Sequence, residues 1–491
     1  MTDPIETLLF IDGEARSASD RGTYHIHNPA RPHELVGRAA AGTLDDVEAA
    51  MRAAHAAFPA WAALSYAERA GMLRAVAAAI TRDMEEVAAR ARLFTREHGK
   101  ILFETHLEIS RLGHRFEQVA DYADRLATDE RIAAAPNDTI ITRQPRGVAA
   151  LVVPWNWPLA ILGAKLPQAL MAGNTVVVKP SANSALAPTM TLHRIAEMLP
   201  PGVVNVLTGS ASRIGDAIIG HPLVRYVNFT GSVEVGRHVM KVAAENITPV
   251  TLELGGNDAG LVLADADLTG DAFDRLYRAA FMSTGQICFA LKRLYVHRSR
   301  FEEVAEGFKA VCDRQVVGDG LLPEITMGPL NNPKQLKVVT DMIAEARARG
   351  QEVVELGQVP DRDLYERGYF QRPTLVIGAD PALSVVREEQ FGPVLPLLPF
   401  DTEEEALAMA NDSEFGLASS IWSADRDRAV ALARRIEAGY TFFNAHGPSA
   451  QDGNGPFGGF KHSGIGRNFG YEGVTQFQGH HSISGAPGSL L

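Results

Sequence analysis

Hydrophobic and polar positions change their period along the chain. Residues 8–42 carry short apolar runs broken by turn residues (LLFIDGEAR, then IHNPARPHELVGRAAAG), which predicts short strands. From Leu44 to about Leu126 the chain is Ala-rich with apolar residues at helical spacing. Val47, Met51 and Ala54 share one face, as do Met72, Val76 and Ile80, which predicts several surface helices. Residues 138–145 (DTIITRQP) alternate and end in Pro145, which predicts an edge strand.

Between 148 and 254 the period switches repeatedly. Apolar runs (VAALVV at 148, NTVVVK at 174, VVNVL at 203, YVNF at 226, PVTLEL at 249) alternate with helical stretches near 158–171, 185–199, 212–219 and 233–244. Strands apolar on both faces, alternating with helices, predict a buried parallel sheet, which binds ligands at the carboxyl ends of its strands. A second alternation starts near Gly260 with LVLA, a helix at 268–282, LYVH at 294 and a helix at 300–314. It runs on through LPLLPF at 395 to TFFN at 441, predicting a second α/β domain. The tail after Gly464 is rich in Gly and His and reads as an extended interface strand.

Composition narrows the function classes. The length of 491 residues suggests about three domains. A net charge of -12 argues against nucleic acid or an anionic membrane surface as the main partner. The two cysteines, Cys288 and Cys312, exclude a disulfide framework and a cysteine zinc site, so no metal is expected. They fit a reducing, cytoplasmic setting. Met1–Phe10 lacks the basic-then-apolar pattern of a leader, and no apolar run is long enough to span a membrane.

Five short motifs carry candidate chemistry. PWNWP (154–158) follows a strand and forms a stiff loop presenting Asn156, either a turn-capping amide or a donor to a developing oxyanion. Lys179 ends VVVKP, where a lysine is either solvated or set against ribose or phosphate oxygens. FTGSVEVGR (229–237) brings Gly231 and Ser232 to a helix start, which suits a pyrophosphate but also caps many helices without a ligand. TLELGG (251–256) sets Glu253 at a strand end, as a desolvated base or as a junction salt bridge. GQICFA (285–290) holds Cys288 between Ile287 and Phe289, as an inert packed thiol or a nucleophile. Cys312, in FKAVCDRQ, reads as inert.

Asn156, Glu253 and Cys288, each in its motif and in this order, resemble the aldehyde dehydrogenase superfamily. The resemblance covers nearly the whole chain, from IDGEAR through EEQFGPVLP (388) to PFGGFKHSGIGR (456). It implies a Rossmann-like dinucleotide-binding domain, a second α/β catalytic domain and a small extended oligomerisation element. The matching boundaries are 1–122 with 143–254, then 255–454, then 123–142 with 455–491 as arm and tail of a homodimer or homotetramer.

By this similarity Cys288 is the nucleophile, Glu253 the general base, Asn156 an oxyanion donor, and Lys165 matches a lysine on a proton path. Trp155, Lys179, Gly231, Ser232 and Val235 match positions lining the dinucleotide, flanked by Val153, Pro154, Gly236 and Leu254. Glu389 resembles the residue that grips the nicotinamide ribose, with Phe391 beside it. The implied reaction oxidises an aldehyde with NAD or NADP through a cysteine thiohemiacetal and a thioester, which water then cleaves.

Three positions depart from the family pattern. Ala182 stands where NAD-preferring members often carry Glu, and its lack of charge removes repulsion against a 2′-phosphate. Asn468 replaces the Glu of Gly-Arg-Glu, and an amide cannot relay a proton as a carboxylate does. The loop 444–459 is slightly longer than in many relatives and is expected to wall the substrate tunnel. Trp157, Ala160, Ile161, Ala164, Ile287, Phe289 and Phe457 are the expected wall, largely apolar and without an evident cation for a carboxylate. This favours aliphatic or aromatic aldehydes, with a betaine-type aldehyde open through tryptophan–ammonium contact. Transfer to coenzyme A, simple cysteine esterase activity and a non-catalytic binding role are the alternatives. Glu253 argues against the first, the cofactor motifs against the second, and the intact triplet against the third.

Overall fold

The computed structural model describes residues 4–134 and 137–490; parts of the expected N-terminus and arm therefore lie outside the described residues. The apolar runs between 148 and 254 form five parallel strands, Val148–Val152, Thr175–Lys179, Val204–Val206, Val224–Thr230 and Val250–Glu253. Val176, Val177 and Val178 are all buried, because helices cover both faces of the sheet. Short antiparallel strands complete it to eight: Leu9–Ile11 and Glu14–Arg16 at one edge, Gly464–Ile465 at the other. A second sheet of seven strands holds Asp258–Val262, Leu291–His297, Val394–Phe400, Ala418–Trp422 and Tyr440–Phe443, all parallel. Both α/β units expected from the alternation are present, and the fold class is α/β.

Four expectations need correction. Residues 138–145 are not an edge. The strand Asn137–Pro145 lies between Glu130–Ala134 and Gln478–Gly485, antiparallel to both. Its second partner arrives from more than 300 residues away, so no local pattern reveals it. The stretch 158–171 is two helices, Pro158–Gly163 and Leu166–Met171. Pro167 has no N–H to donate to the preceding turn, and the break leaves Lys165 at a bend with φ −132 and ψ −56.

The tail is not uniformly extended. Asn468, Val474 and Phe477 are buried, Gly470–Thr475 is a helix, and the long extended stretch is confined to Gln478–Gly485. Finally, the helix Leu102–Ala120 is not a surface helix alone. Beside Leu112 and Phe116 it buries Glu104 and Glu108, which bear on the site described next.

Candidate active site

Two cavities meet at one sulfur. The first, about 610 Å³, is lined by Asn156, Glu253, Cys288 and all seven expected wall residues, together with Phe469, Pro448, Gln451, Arg111 and Arg115. The second, about 800 Å³, is lined by Pro154, Trp155, Asn156, Gly231, Ser232, Leu254, Glu389 and Phe391. It also reaches Cys288, Thr230, Gly255, Gln335 and Val338. Cys288 and Asn156 belong to both, so the thiol, 7% exposed, stands at the junction rather than in a sealed interior. Cys312 is fully buried in the second unit's core, where burial lifts its thiol well above its usual range.

The backbone that presents Cys288 is unusual. Ser283, Thr284 and Gly285 all have positive φ, which non-glycine residues adopt only when surroundings enforce it. Ser283 N–H donates to Glu104 Oε1 at 2.6 Å, and Thr284 Oγ1 donates to the Gly328 carbonyl at 3.0 Å. Burial pushes the Glu104 carboxyl up to about 7. From the same helix, Glu108 Oε1 accepts from the N–H groups of Leu159 (2.7 Å) and Ala160 (3.1 Å), capping the helix after the PWNWP loop. Its other oxygen pairs with the fully buried Lys100. One helix thus ties together the loops bearing Asn156 and Cys288.

Glu108→Ala would leave the buried Lys100 ammonium without its ion-pair carboxylate. It should cost about 3–5 kcal/mol of stability, read as a lowered urea midpoint, and a loss under about 1 kcal/mol would contradict this pairing.

Glu253 Oε1 lies 3.8 Å from Cys288 Sγ. Its Oε2 accepts from Asn468 Nδ2 at 3.1 Å and Thr230 Oγ1 at 3.4 Å. Burial raises the Glu253 carboxyl, opposed by the Lys165 charge and these hydrogen bonds. Burial likewise raises the Cys288 thiol well above its usual range, reinforced by Glu253 and opposed by Lys292. Burial thus works against charge on both groups, and the Glu253 carboxyl is the group placed to exchange a proton with the thiol.

Lys165 Nζ donates to Asn228 Oδ1, Asn228 Nδ2 donates to Asn468 Oδ1 at 2.9 Å, and Asn468 reaches Glu253. Burial lowers Lys165 to about 8. Asn468 thus links the lysine and the carboxylate as a fixed dipole, not a proton carrier.

Asn156 Nδ2 donates to the Gln286 carbonyl at 3.0 Å, which aims the amide at the Cys288 loop. An amide has two N–H groups, so a second remains.

In the second cavity Trp155 packs edge-on against Phe391, with centroids 5.6 Å apart. A Cβ at Gly255 would overlap the Glu389 carboxylate and push that side chain aside, so glycine leaves the carboxylate where it is. Gly256 N–H donates to Glu389 Oε1 at 3.2 Å. Ser232 caps the helix Val233–Ala244, turning its positive dipole end toward the cavity that Ser232 lines. Expected residues outside this lining are Val153, Lys179, Ala182, Val235 and Gly236. Lys179 is buried at its strand end, and burial lowers it to about 8.

Sequence reasoning missed three residues. Lys292 Nζ donates to the Cys288 carbonyl, the Gly256 carbonyl (2.8 Å) and Glu389 Oε1 (2.8 Å), locking the Cys288 loop and the Glu389 carboxylate together. Its signal was a lysine opening the apolar strand ALKRLYVH. Arg111 and Arg115 overturn the expectation of a wall without a cation; they lie one turn apart on a helix far from every motif. Trp157 is also less available to an ammonium substrate, because Lys100 Nζ already sits 4.1 Å over its ring.

Comparison with known proteins gives the family. The profile of the Aldehyde dehydrogenase family matches residues 16–483. A glutarate-semialdehyde dehydrogenase of Pseudomonas putida is 35% identical over 472 residues, 95% of each chain. An NADP(+) succinate-semialdehyde dehydrogenase of Escherichia coli is 37% identical over 471 residues, again 95% of each chain. A betaine aldehyde dehydrogenase structure from Staphylococcus aureus in complex with NAD+ superposes with a TM-score of 0.90 at 31% identity, covering 99% of this chain and 95% of that one.

Proposed function

The chain belongs to the aldehyde dehydrogenase family, an enzyme that oxidises an aldehyde to the acid with NAD or NADP, and from that premise we propose how its own residues divide the work. Cys288 is the nucleophile, Glu253 the base, and Asn156 with the Cys288 backbone N–H the oxyanion donors. The observation that carries this is the sulfur at the meeting point of two cavities, with Glu253 at 3.8 Å.

An aldehyde C–H is a poor hydride source while its carbon is trigonal. Glu253 takes the thiol proton, and the thiolate adds to the carbonyl carbon, forming a tetrahedral alkoxide. Amide and backbone N–H groups fixed at that oxygen are worth on the order of 10²-fold or more in rate. Bound NAD(P)+ supplies the hydride acceptor. Collapse of the alkoxide leaves a thioester on Cys288. Glu253 releases the thiol proton to solvent and then takes a proton from water, whose oxygen attacks the thioester carbonyl; the departing thiolate recovers that proton and the carboxylic acid is freed.

The second cavity fits a dinucleotide: Trp155 and Phe391 offer ring faces, Glu389 an oriented carboxylate for ribose hydroxyls, and Gly231 with Ser232 an open helix start for phosphate. Lys179 and Ala182 follow as the adenosine-side residues. Ala182, on the turn three residues beyond Lys179, leaves room for either cofactor. Ala182→Glu should lower the NADP/NAD ratio of kcat/KM by about tenfold through repulsion of a 2′-phosphate; an unchanged ratio would contradict this placement.

Chains associate as a homodimer or homotetramer through the three-stranded sheet that ends in Gln478–Gly485. No helix among the described residues is long and apolar enough to cross a membrane; the setting we propose is cytoplasmic. Reduced-nicotinamide formation with a panel of aldehydes, with product analysis with and without coenzyme A, tests the assignment. Free acid formed without coenzyme A supports it, and strict dependence on coenzyme A overturns it.

A further inference from the structure

The first cavity joins a buried reacting end to a half-buried cationic side. Cys288 and Glu253 are buried, whereas Arg111 and Arg115, also in its lining, are half-buried on one face of the helix Leu102–Ala120. The remaining wall is mostly hydrocarbon, and Glu253 is its only carboxylate.

Two guanidinium groups one helical turn apart repel each other, and burial aggravates the cost. Burial alone holds Arg111 below its usual range, with no carboxylate acting on it. Arg115 is lowered by burial and by Arg111, opposed by Asp452 and Tyr122. Arg111 donates one hydrogen bond, to the Pro448 carbonyl at 3.1 Å, and Arg115 one, to Gln118 Oε1 at 2.6 Å. Arg115 also lies 4.8 Å over the Phe469 ring. A guanidinium carries five N–H donors, so most of each fork is left for a ligand.

A chain of net charge -12 has ample carboxylates for surface arginines. Here none pairs with these two among the described residues. Holding the 448–454 loop would need only the Arg111 bond to Pro448, which a neutral amide could make, and the Arg115 bond to Gln118 stays within its own helix. Two desolvated cations facing a substrate cavity instead match a planar, bidentate oxyanion.

We propose that Arg111 and Arg115 form an anion subsite, and that the substrate is an aldehyde carrying a carboxylate at the end away from the reacting carbonyl. The inference rests on Cys288 being the reacting thiol. It replaces the neutral aliphatic or aromatic class expected from the apolar wall, and it disfavours a quaternary ammonium, which these two charges would repel.

The test compares ω-oxocarboxylates of about four to six carbons with alkanals of matching length, on the intact enzyme. Wild type should favour the oxocarboxylate series by about 10- to 100-fold in kcat/KM at its best length. Arg111→Leu and Arg115→Leu should each cut that preference by about tenfold or more, mainly through KM, and the Lys variants should restore part of it. Raised salt should weaken the preference as well. Equal or better use of the alkanals by wild type, or a loss in the Leu variants that is the same for both series, would overturn the subsite. If neither series is oxidised, the catalytic assignment falls and the subsite with it.

Discussion

Cys288→Ala should abolish aldehyde oxidation, lowering turnover by at least about 10⁴-fold, while dinucleotide binding stays within about threefold of wild type. The asymmetry follows from position. The sulfur stands at the junction of the cavities, but Cys288 is one of thirteen residues lining the second, and Trp155, Ser232, Glu389 and Phe391 are left in place by the substitution. At 1.36 kcal/mol per decade, the loss is over about 5 kcal/mol of barrier, more than any single binding contact supplies. Steady-state formation of reduced nicotinamide and a cofactor fluorescence titration are the two measurements. Turnover within tenfold of wild type would remove Cys288 as nucleophile. Loss of both turnover and binding would point instead to collapse of the 283–288 loop, which near-UV circular dichroism would register.

Glu253→Gln should separate the two halves of the reaction. Gln keeps the shape and an oxygen to accept from Asn468 and Thr230, but it cannot take a proton. Steady-state turnover should fall by about 10²- to 10³-fold, with a rapid burst of about one reduced nicotinamide per active site and a trapped acyl-enzyme visible by mass spectrometry.

The pH dependence has a definite sign. Burial raises the Glu253 carboxyl above its usual range, and the working form is the carboxylate. Wild-type deacylation should therefore be lost as pH falls through that raised value and level off above it. In the variant the Cys288 thiol, itself raised by burial, must lose its proton to solvent instead. Its burst rate should climb with pH more steeply than that of wild type. An undiminished steady-state rate would end the base assignment.

Several site features were legible because they are local. Strands apolar on both faces demand cover on both sides, and that constraint is written in consecutive residues: Val176 to Val178 need no distant partner to be read as buried. The motif residues at the ends of those strands, Asn156 and Glu253, follow from the same periodicity. The family resemblance supplied Cys288, which composition alone leaves open between packed and reactive.

What stayed hidden depends on contacts distant in sequence. The pairing of Asn137–Pro145 with Gln478–Gly485 and the insertion of Asn468 between Asn228 and Glu253 join segments more than 200 residues apart. The tie from Glu104 to Ser283 spans another 179 residues.

Sequence by itself determined the α/β architecture through short-range pattern, and its contiguous motifs carried the family resemblance from which the dinucleotide chemistry and the proposed role of Cys288 follow. Only the tertiary structure decided the character of the substrate cavity. Arg111 and Arg115 look like ordinary charged positions on an amphipathic helix; their meaning arises where the fold sets them, half-buried, in one cavity wall with Pro448, Gln451 and Cys288. Charge becomes specific when it is desolvated and unpaired, and no stretch of sequence states where that occurs.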